Sequence, residues 1–193
     1  MKHLIIYAHP NPESLNGQLQ KALKAHLQEN GHEVILRDLY ALNFNPVLSL
    51  EDLAGQRRGT VAEEITIEQN HISWADTITF IYPIWWTGLP AIMKGYIDRV
   101  FSYGFAYSYD QGIQKGLLGG KTAIIVNTHG KSNEDYQANG LGAALSLTSD
   151  KGIYTYCDLR IKKHFFFDKA DRANENNISQ WKRELFDIYD SAD

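Results

Sequence analysis

The apolar run His3-Leu4-Ile5-Ile6-Tyr7-Ala8, the loop His9-Pro10-Asn11-Pro12-Glu13, the stripe Leu15, Leu19, Leu23, Leu27 and the run Glu33-Val34-Ile35-Leu36-Arg37-Asp38-Leu39 together decide the fold. The first run is nearly continuous in apolar residues, as a strand buried on both faces must be. Ser14 is a cap residue at the head of the leucine stripe, which recurs at helical spacing and takes in Ala22 and His26. Asn30-Gly31 closes the helix, and the second apolar run follows at once. The opening of the chain is therefore β-α-β, and a crossover of that length requires the two strands to be parallel.

The alternation continues. Residues 41–60 read as a long irregular connection, Val61 to Ser73 as helix, and Thr77 to Tyr82 as a third strand. Pro83 to Leu89 is a loop, and Pro90 opens a helix carrying Ile92, Met93, Tyr96, Ile97, Val100 and Phe101. Tyr103 to Gly120 reads as a second long connection, Thr122 to Asn127 as strand four, and Thr128 to Gly140 as loop. A helix starts over Leu141 to Leu147, a fifth strand lies near Arg160 to Phe166, and Ile178, Trp181, Leu185, Phe186 and Ile188 mark a last helix. Strands alternating with helices in this way predict one doubly wound α/β domain over residues 1–193. Such sheets take ligands in the crevice beyond the carboxyl ends of the strands. The loops after strands one, three and four begin there, at His9, Pro83 and Thr128.

Composition narrows the classes. A net charge of −4 lacks the basic excess of a duplex nucleic-acid binder, and is too small for a dedicated acidic electron carrier. No stretch approaches the roughly 20 apolar residues of a membrane span, and the first residues do not have the form of a secretory signal. Cys157 is the one cysteine, so no internal disulfide forms and a cytoplasmic location is expected. No His, Cys, Asp or Glu spacing resembles a metal site, and nothing marks a serine or Cys157 as a nucleophile. The aromatic share is 12%, with many of the rings between Tyr82 and Tyr109.

Each of the three loops carries unusual chemistry. In the first, His9, Ser14, Leu15 and Asn16 surround a helix N-terminus, a ready site for a cofactor phosphate; the alternative is a plain N-cap at Ser14. Neither of the familiar glycine-rich nucleotide patterns is present. In the second, Pro83, Ile84, Trp85 and Trp86 place two adjacent indoles at a strand end, a wall for a planar ring or else an interface patch or core plug. In the third, Thr128, His129 and Gly130 offer donors and close backbone approach, and Tyr136 is either a proton donor or an exposed loop tyrosine.

Phe80-Ile81-Tyr82-Pro83-Ile84-Trp85-Trp86-Thr87-Gly88-Leu89-Pro90-Ala91-Ile92-Met93-Lys94-Gly95-Tyr96-Ile97-Asp98-Arg99-Val100-Phe101, followed by Gly104-Phe105-Ala106-Tyr107-Ser108-Tyr109, resembles the NAD(P)H:quinone oxidoreductase family. Ala8-His9-Pro10 with Ser14-Leu15-Asn16 is similar to that family's phosphate-binding turn. The resemblance spans nearly the whole chain and implies a flavodoxin-like three-layer sandwich around a five-stranded parallel sheet. It implies FAD or FMN as cofactor, NAD(P)H as electron donor, a quinone-like acceptor and a homodimer. His9, Ser14, Leu15 and Asn16 would hold the flavin phosphate end. Pro83, Ile84, Trp85 and Trp86 would line the isoalloxazine, with Thr128, His129 and Gly130 at its far edge. Trp86 with Tyr107 and Tyr109, the two tyrosines from the partner subunit, would shape the substrate pocket, and Tyr136 would be the catalytic relay. The chain departs from the family in having Asn127-Thr128-His129-Gly130 where Thr-Thr-Gly-Gly is common. Gly142 stands near the position of the relay histidine, and no long C-terminal extension follows the last helix. Related proteins of this resemblance include azo- and nitroreductases, electron carriers of the flavodoxin type, and ancillary subunits of potassium efflux systems.

Overall fold

A computed structural model describes residues 1–191. Five strands, β1 (Lys2–Tyr7), β2 (Glu33–Asp38), β3 (Thr77–Pro83), β6 (Thr122–Thr128) and β7 (Arg160–Phe167), form one sheet in the order β2-β1-β3-β6-β7. All four pairings are parallel. The order reverses between β1 and β3, which opens the crevice at the carboxyl ends of β1, β3 and β6.

Side chains alternate between two cores. Ile5, Tyr7, Ile81, Val126, Phe165 and Phe167 face α1 (Leu15–Glu29) and α7 (Glu175–Asp190), where Leu19, Leu23, Leu27 and Leu185 are buried. Leu4, Ile6, Phe80, Tyr82 and Ile125 face the opposite side, covered by α3 (Glu63–Trp74) and α4 (Ala91–Val100). The predicted layers and strands are present, with strand bounds shifted by a residue or two.

The two stretches read as irregular connections are in part regular. Within 41–60, α2 (Leu50–Arg58) is capped by a reciprocal Ser49–Asp52 box and ended by Gly59 at φ 71°. A buried guanidinium anchors it: Arg99 of α4 donates Nε to Asp52 Oδ2 (3.1 Å), Nη2 to Asp52 Oδ1 (3.1 Å) and Nη1 to the Asn45 carbonyl (2.8 Å). Burial pushes the Asp52 carboxyl up, but its bonds from Arg99 and Ser49 outweigh this and hold it below its usual value. Within 103–120, β4 (Tyr107–Asp110) and β5 (Ile113–Gly116) make an antiparallel hairpin turning at Gln111-Gly112, both with positive φ. The loop expected over 128–140 contains α5 (Asn133–Ala138), capped by Ser132. The helix beginning at Leu141, α6 (Leu141–Leu145), widens into a π-helical segment over Ser146–Tyr154.

Pro90 is the N-cap of α4, one place before its first turn. Gly95 in that helix meets the Pro46 carbonyl at 2.2 Å from where a Cβ would stand, so the segment before α2 packs directly on α4 through the missing side chain.

Candidate functional site

The first loop enters α1 through Ser14, whose Oγ accepts from Gly17 N at 3.1 Å. This N-cap leaves the N–H groups of the first turn pointing at the crevice end of a helix of 15 residues. His9 Nδ1 lies 3.0 Å from Asn11 N and 3.1 Å from the Asn11 carbonyl oxygen, and its ring lies 5.9 Å from that of Trp85. Leu15 packs on the α1–α7 core and reaches the crevice only through its backbone. Asn16 is buried, and its Nδ2 donates to Thr128 Oγ1 at 2.7 Å, joining loops one and three across the sheet. Its Oδ1 has no partner among the described residues. A buried amide oxygen without a donor is costly to leave so, and it marks the floor of this crevice as made for a hydrogen-bonding ligand.

The second loop is a tight two-residue turn. Trp85 N donates to the Gly88 carbonyl at 3.1 Å and Gly88 N to the Trp85 carbonyl at 3.0 Å. Between them Trp86 and Thr87 both hold positive φ, 52° and 55°, and their N–H groups have no backbone acceptor. Two non-glycine residues in left-handed geometry cost about 1 kcal/mol or more each, and such strain gathers where a ligand is held. Trp86 is fully exposed, at 102%, and Trp85 is 40% exposed, so neither indole fills the core. Ile84 is different. Its N–H donates to the Thr128 carbonyl at 2.8 Å and its side chain is buried against Tyr136 and Leu145. Pro83 ends β3 in register with Thr128.

In the third loop, His129 spends its backbone on Phe167 O and Ala170 N, and its ring is buried with Nε2 3.1 Å from Asn133 Oδ1. Burial lowers its pKa against the opposing pull of Asn133 and Asp168, so the imidazole is neutral. It lies against Tyr136, the two rings tilted by 40° with centres 4.3 Å apart. Its Nδ1 has no hydrogen-bond partner among the described residues. Tyr136 is 8% exposed, not a free loop tyrosine, and burial raises its pKa against a hydrogen bond with Thr87. Gly130 is exposed and an added Cβ would meet only Asp171 Oδ1, at 3.4 Å, so nothing in the fold itself requires a glycine there.

Tyr107 and Tyr109 lie elsewhere. The β4–β5 hairpin is fixed where strands begin: Gln114 Nε2 donates to the Tyr156 carbonyl at 2.7 Å, Leu118 N to the Cys157 carbonyl at 2.9 Å, and Lys121 Nζ to the carbonyls of Ser73 and Ala75. Tyr107 and Tyr109 form an aromatic group with Tyr103 and Tyr156 at that end. The structure brings together His9, Ser14, Asn16, the Pro83–Trp86 loop, Thr128, Gly130 and Tyr136, and leaves the two tyrosines outside the crevice of their own chain.

One group was absent from the sequence reading. Asn127, at the end of β6, donates Nδ2 to the Tyr82 carbonyl at 3.0 Å; His164 of β7 bridges Asn127 Oδ1 and Asp150 Oδ1, each at 2.8 Å. Only the adjacency of β6 and β7 brings these residues together, and no local spacing announces it. Among the described residues no cluster of three or more His, Cys, Asp or Glu is placed to hold a metal.

A parallel sheet whose switch-point crevice is lined by a helix N-terminus, an exposed indole and an unsatisfied amide defines an α/β cofactor-binding protein. The chain belongs to the family of flavodoxin-like fold, whose model matches residues 1–187. It is 40% identical over 181 residues to a Haemophilus influenzae protein named an uncharacterized NAD(P)H oxidoreductase, covering 90% of each chain. It is 31% identical to the rat NAD(P)H dehydrogenase [quinone] 1, covering 98% of this chain and 78% of that one. The structure of an NAD(P)H:quinone oxidoreductase from Methanothermobacter marburgensis superposes with a TM-score of 0.84 at 26% identity, over 97% of this chain and 98% of that one.

Proposed function

We infer that this protein is a flavin-dependent NAD(P)H oxidoreductase that reduces quinones or similar planar acceptors. The observation that carries the reading is the strained turn holding Trp86 fully exposed above a crevice floored by the unpartnered Asn16 amide oxygen. FAD or FMN, when bound, supplies the two-electron chemistry between NAD(P)H and the acceptor.

The residues present fit such a group. Ser14, with the first-turn N–H groups at Leu15 and Asn16, and His9 hold the phosphate end. The backbone at Pro83 and Ile84 and the free N–H groups of Trp86 and Thr87 face the ring system, with Trp85 and Trp86 as apolar walls. Thr128 and Gly130 bound the opposite edge, where backbone donors favour negative charge. Tyr136, kept protonated by burial and resting on neutral His129, is the group placed to donate a hydrogen bond or a proton at its hydroxyl.

A homodimer completes the acceptor pocket in this proposal. Tyr107 lines a cavity of about 470 Å³ with Ile97, Phe101, Leu48, Leu53 and Tyr156, beside the exposed Tyr109. Apolar surface of that kind suits a second copy, which would carry Tyr107 and Tyr109 toward its partner's crevice. We place the enzyme in the cytoplasm, where a single buried thiol stays reduced; no helix among the described residues is long and apolar enough to cross a membrane.

The test is an absorbance spectrum of the purified protein followed by anaerobic addition of NADH or NADPH. A yellow protein that bleaches straight to the two-electron-reduced form and recovers on adding a quinone is the expected result. A protein that binds neither FMN nor FAD on reconstitution overturns the reading.

A further inference from the structure

The third loop leaves the sheet with three successive carbonyls turned the same way. Ala170 N donates to the His129 carbonyl at 3.0 Å, and Lys169 N to the Lys131 carbonyl at 3.1 Å. Between them, Arg172 Nη2 donates to the Gly130 carbonyl at 3.1 Å. All three donors belong to the segment after β7, where Lys169 holds left-handed geometry at φ 48° ahead of a short turn over Ala170–Arg172. A planar trans peptide sets its N–H opposite its C=O. The N–H groups of Gly130 and Lys131 therefore point away from β7. In the sheet order β3 lies on that other side of β6, and the crevice with it. Neither N–H has an acceptor among the described residues.

The strand ladder gives the same direction. Ile84 N donates to the Thr128 carbonyl at 2.8 Å, and Gly130 N is the next donor along the β3–β6 seam, one step past that bond. The two outer carbonyls of the loop are held by backbone N–H groups, but the middle one is held by a side chain alone. Gly130 has no Cβ to hinder rotation of the peptide that joins it to Lys131. That peptide can turn over while its neighbours stay bonded, and it would then show the crevice a carbonyl oxygen in place of the Lys131 N–H. Arg172 selects between the two orientations. Its side chain is 68% exposed, with Asp171 Oδ1 3.7 Å from Nε, so the fold does not depend on it.

We propose that Arg172 is a positioning residue of the flavin site: by holding the Gly130 carbonyl it fixes the Lys131 N–H toward the crevice, where two adjacent donors favour the reduced, more negatively charged cofactor over the oxidised one. The proposal rests on the flavin reading above. Successive backbone N–H groups aimed at one place make a fixed concave dipole that stabilises negative charge without reorganising. A carbonyl oxygen standing in for one of them would repel the same charge. The guanidinium charge itself acts at longer range and is screened by salt. The orientation of a peptide is not, and this separates the two effects.

Three measurements on the full chain, each set against Arg172→Ala, test it. Without cofactor, the natural chain should exchange its Gly130 and Lys131 amides fast, and that of His129, bonded to the Phe167 carbonyl, slowly. Slow exchange at Gly130 or Lys131 overturns the proposal whatever the protein binds. With FMN bound (FAD where FMN does not bind), exchange should slow at both residues in the natural chain and at Gly130 alone in Arg172→Ala. Protection of both in the variant, or of neither in the natural chain, removes the positioning role. In anaerobic dye equilibration, the variant should lose about tenfold of its preference for reduced over oxidised flavin, which lowers the midpoint by about 30 mV for a two-electron couple. That loss should persist at about 1 M salt, where charges are screened beyond about 3 Å. A shift that vanishes there comes from the guanidinium charge, and the peptide orientation is then wrong. If flavin binds and the variant matches the natural chain, the proposal alone fails. If the natural chain binds neither FMN nor FAD, the flavin reading fails and takes the proposal with it.

Discussion

The two faces of the sheet solve the same burial problem differently. The α1–α7 face is aliphatic and regular: Ile5, Leu19, Leu23, Leu27, Val126 and Leu185 interlock between two long helices. The opposite face buries a larger apolar cluster, with Ile65, Ile72, Phe80 and Met93, and adds polar pairs to it. Arg37 of β2 and Glu68 of α3 meet under the hydroxyl of Tyr96, and Arg99 joins Asp52 and Glu64. Farther along the same side, His164 Nδ1 lies 2.8 Å from Asp150 Oδ1. Apolar packing on the first face asks only for volume. Hydrogen-bonded ions on the second ask for one geometry, and that face includes the short helix α2 and the π-helical segment, which propensity alone would not hold. Apolar burial stabilises both faces, and the hydrogen-bonded pairs of the second add conformational definition to it.

The sharpest break in this comparison is expected from Leu23→Ala, which empties a fully buried site between α1 and the sheet. It should destabilise by about 3–4 kcal/mol in urea unfolding. Glu68→Gln follows at about 3 kcal/mol, because it strips the counter-ion from a largely buried Arg37. The informative companion is Arg37→Met with Glu68→Leu. If charge here serves definition, the double change recovers most of that stability while amide exchange in α3 speeds up; if stability stays low with exchange unchanged, the contrast between faces is wrong.

A third effect belongs to the strand starts. His3 is buried with neither ring nitrogen bonded, and its pKa is lowered from 6.5 to about 4, first by burial and then by the nearby His32 and amino terminus. The unfolded chain takes up this proton near pH 6.5 and the folded one only near pH 4, so stability falls as pH drops through that window. His3→Leu should flatten the acid limb by about 2 kcal/mol; an unchanged limb would mean that another group controls it. The smallest stability effect is expected at Trp86→Ala. Unfolding should shift by less than about 0.5 kcal/mol, since the ring touches solvent only, while quinone turnover falls about five- to tenfold. A stability loss as large as that of Leu23→Ala would make Trp86 a packing residue.

The strands were legible because each is an apolar run bounded by turn residues, and parallel burial on both faces writes that pattern locally. The crevice loops were legible for a related reason, since strand ends fix where they begin. What escaped detection was of two kinds. The α2 helix had a readable signal, Ser49 and Asp52 at capping-box spacing with Gly59 after it, and the hairpin had Gln111-Gly112. Both are polar enough to pass for loop when apolar periodicity alone is followed. The His164–Asn127–Tyr82 chain and the inward turn of His129 had no such signal, because they depend on which strand lies beside which. Tyr136 illustrates the middle case: its position in sequence suggested a role, but its burial against Ile84 and Leu145 is a property of the fold.

The outermost strand β7 has a consequence for how copies of this protein meet. A parallel sheet that is open at both sides offers unpaired backbone along its rim, a template for filament growth. Here that rim carries Arg160, Lys162 and Lys163 within four successive positions. A strand added there would meet these basic side chains over the first half of β7. Three long basic side chains at the start of the strand thus make this rim a poor template for strand addition.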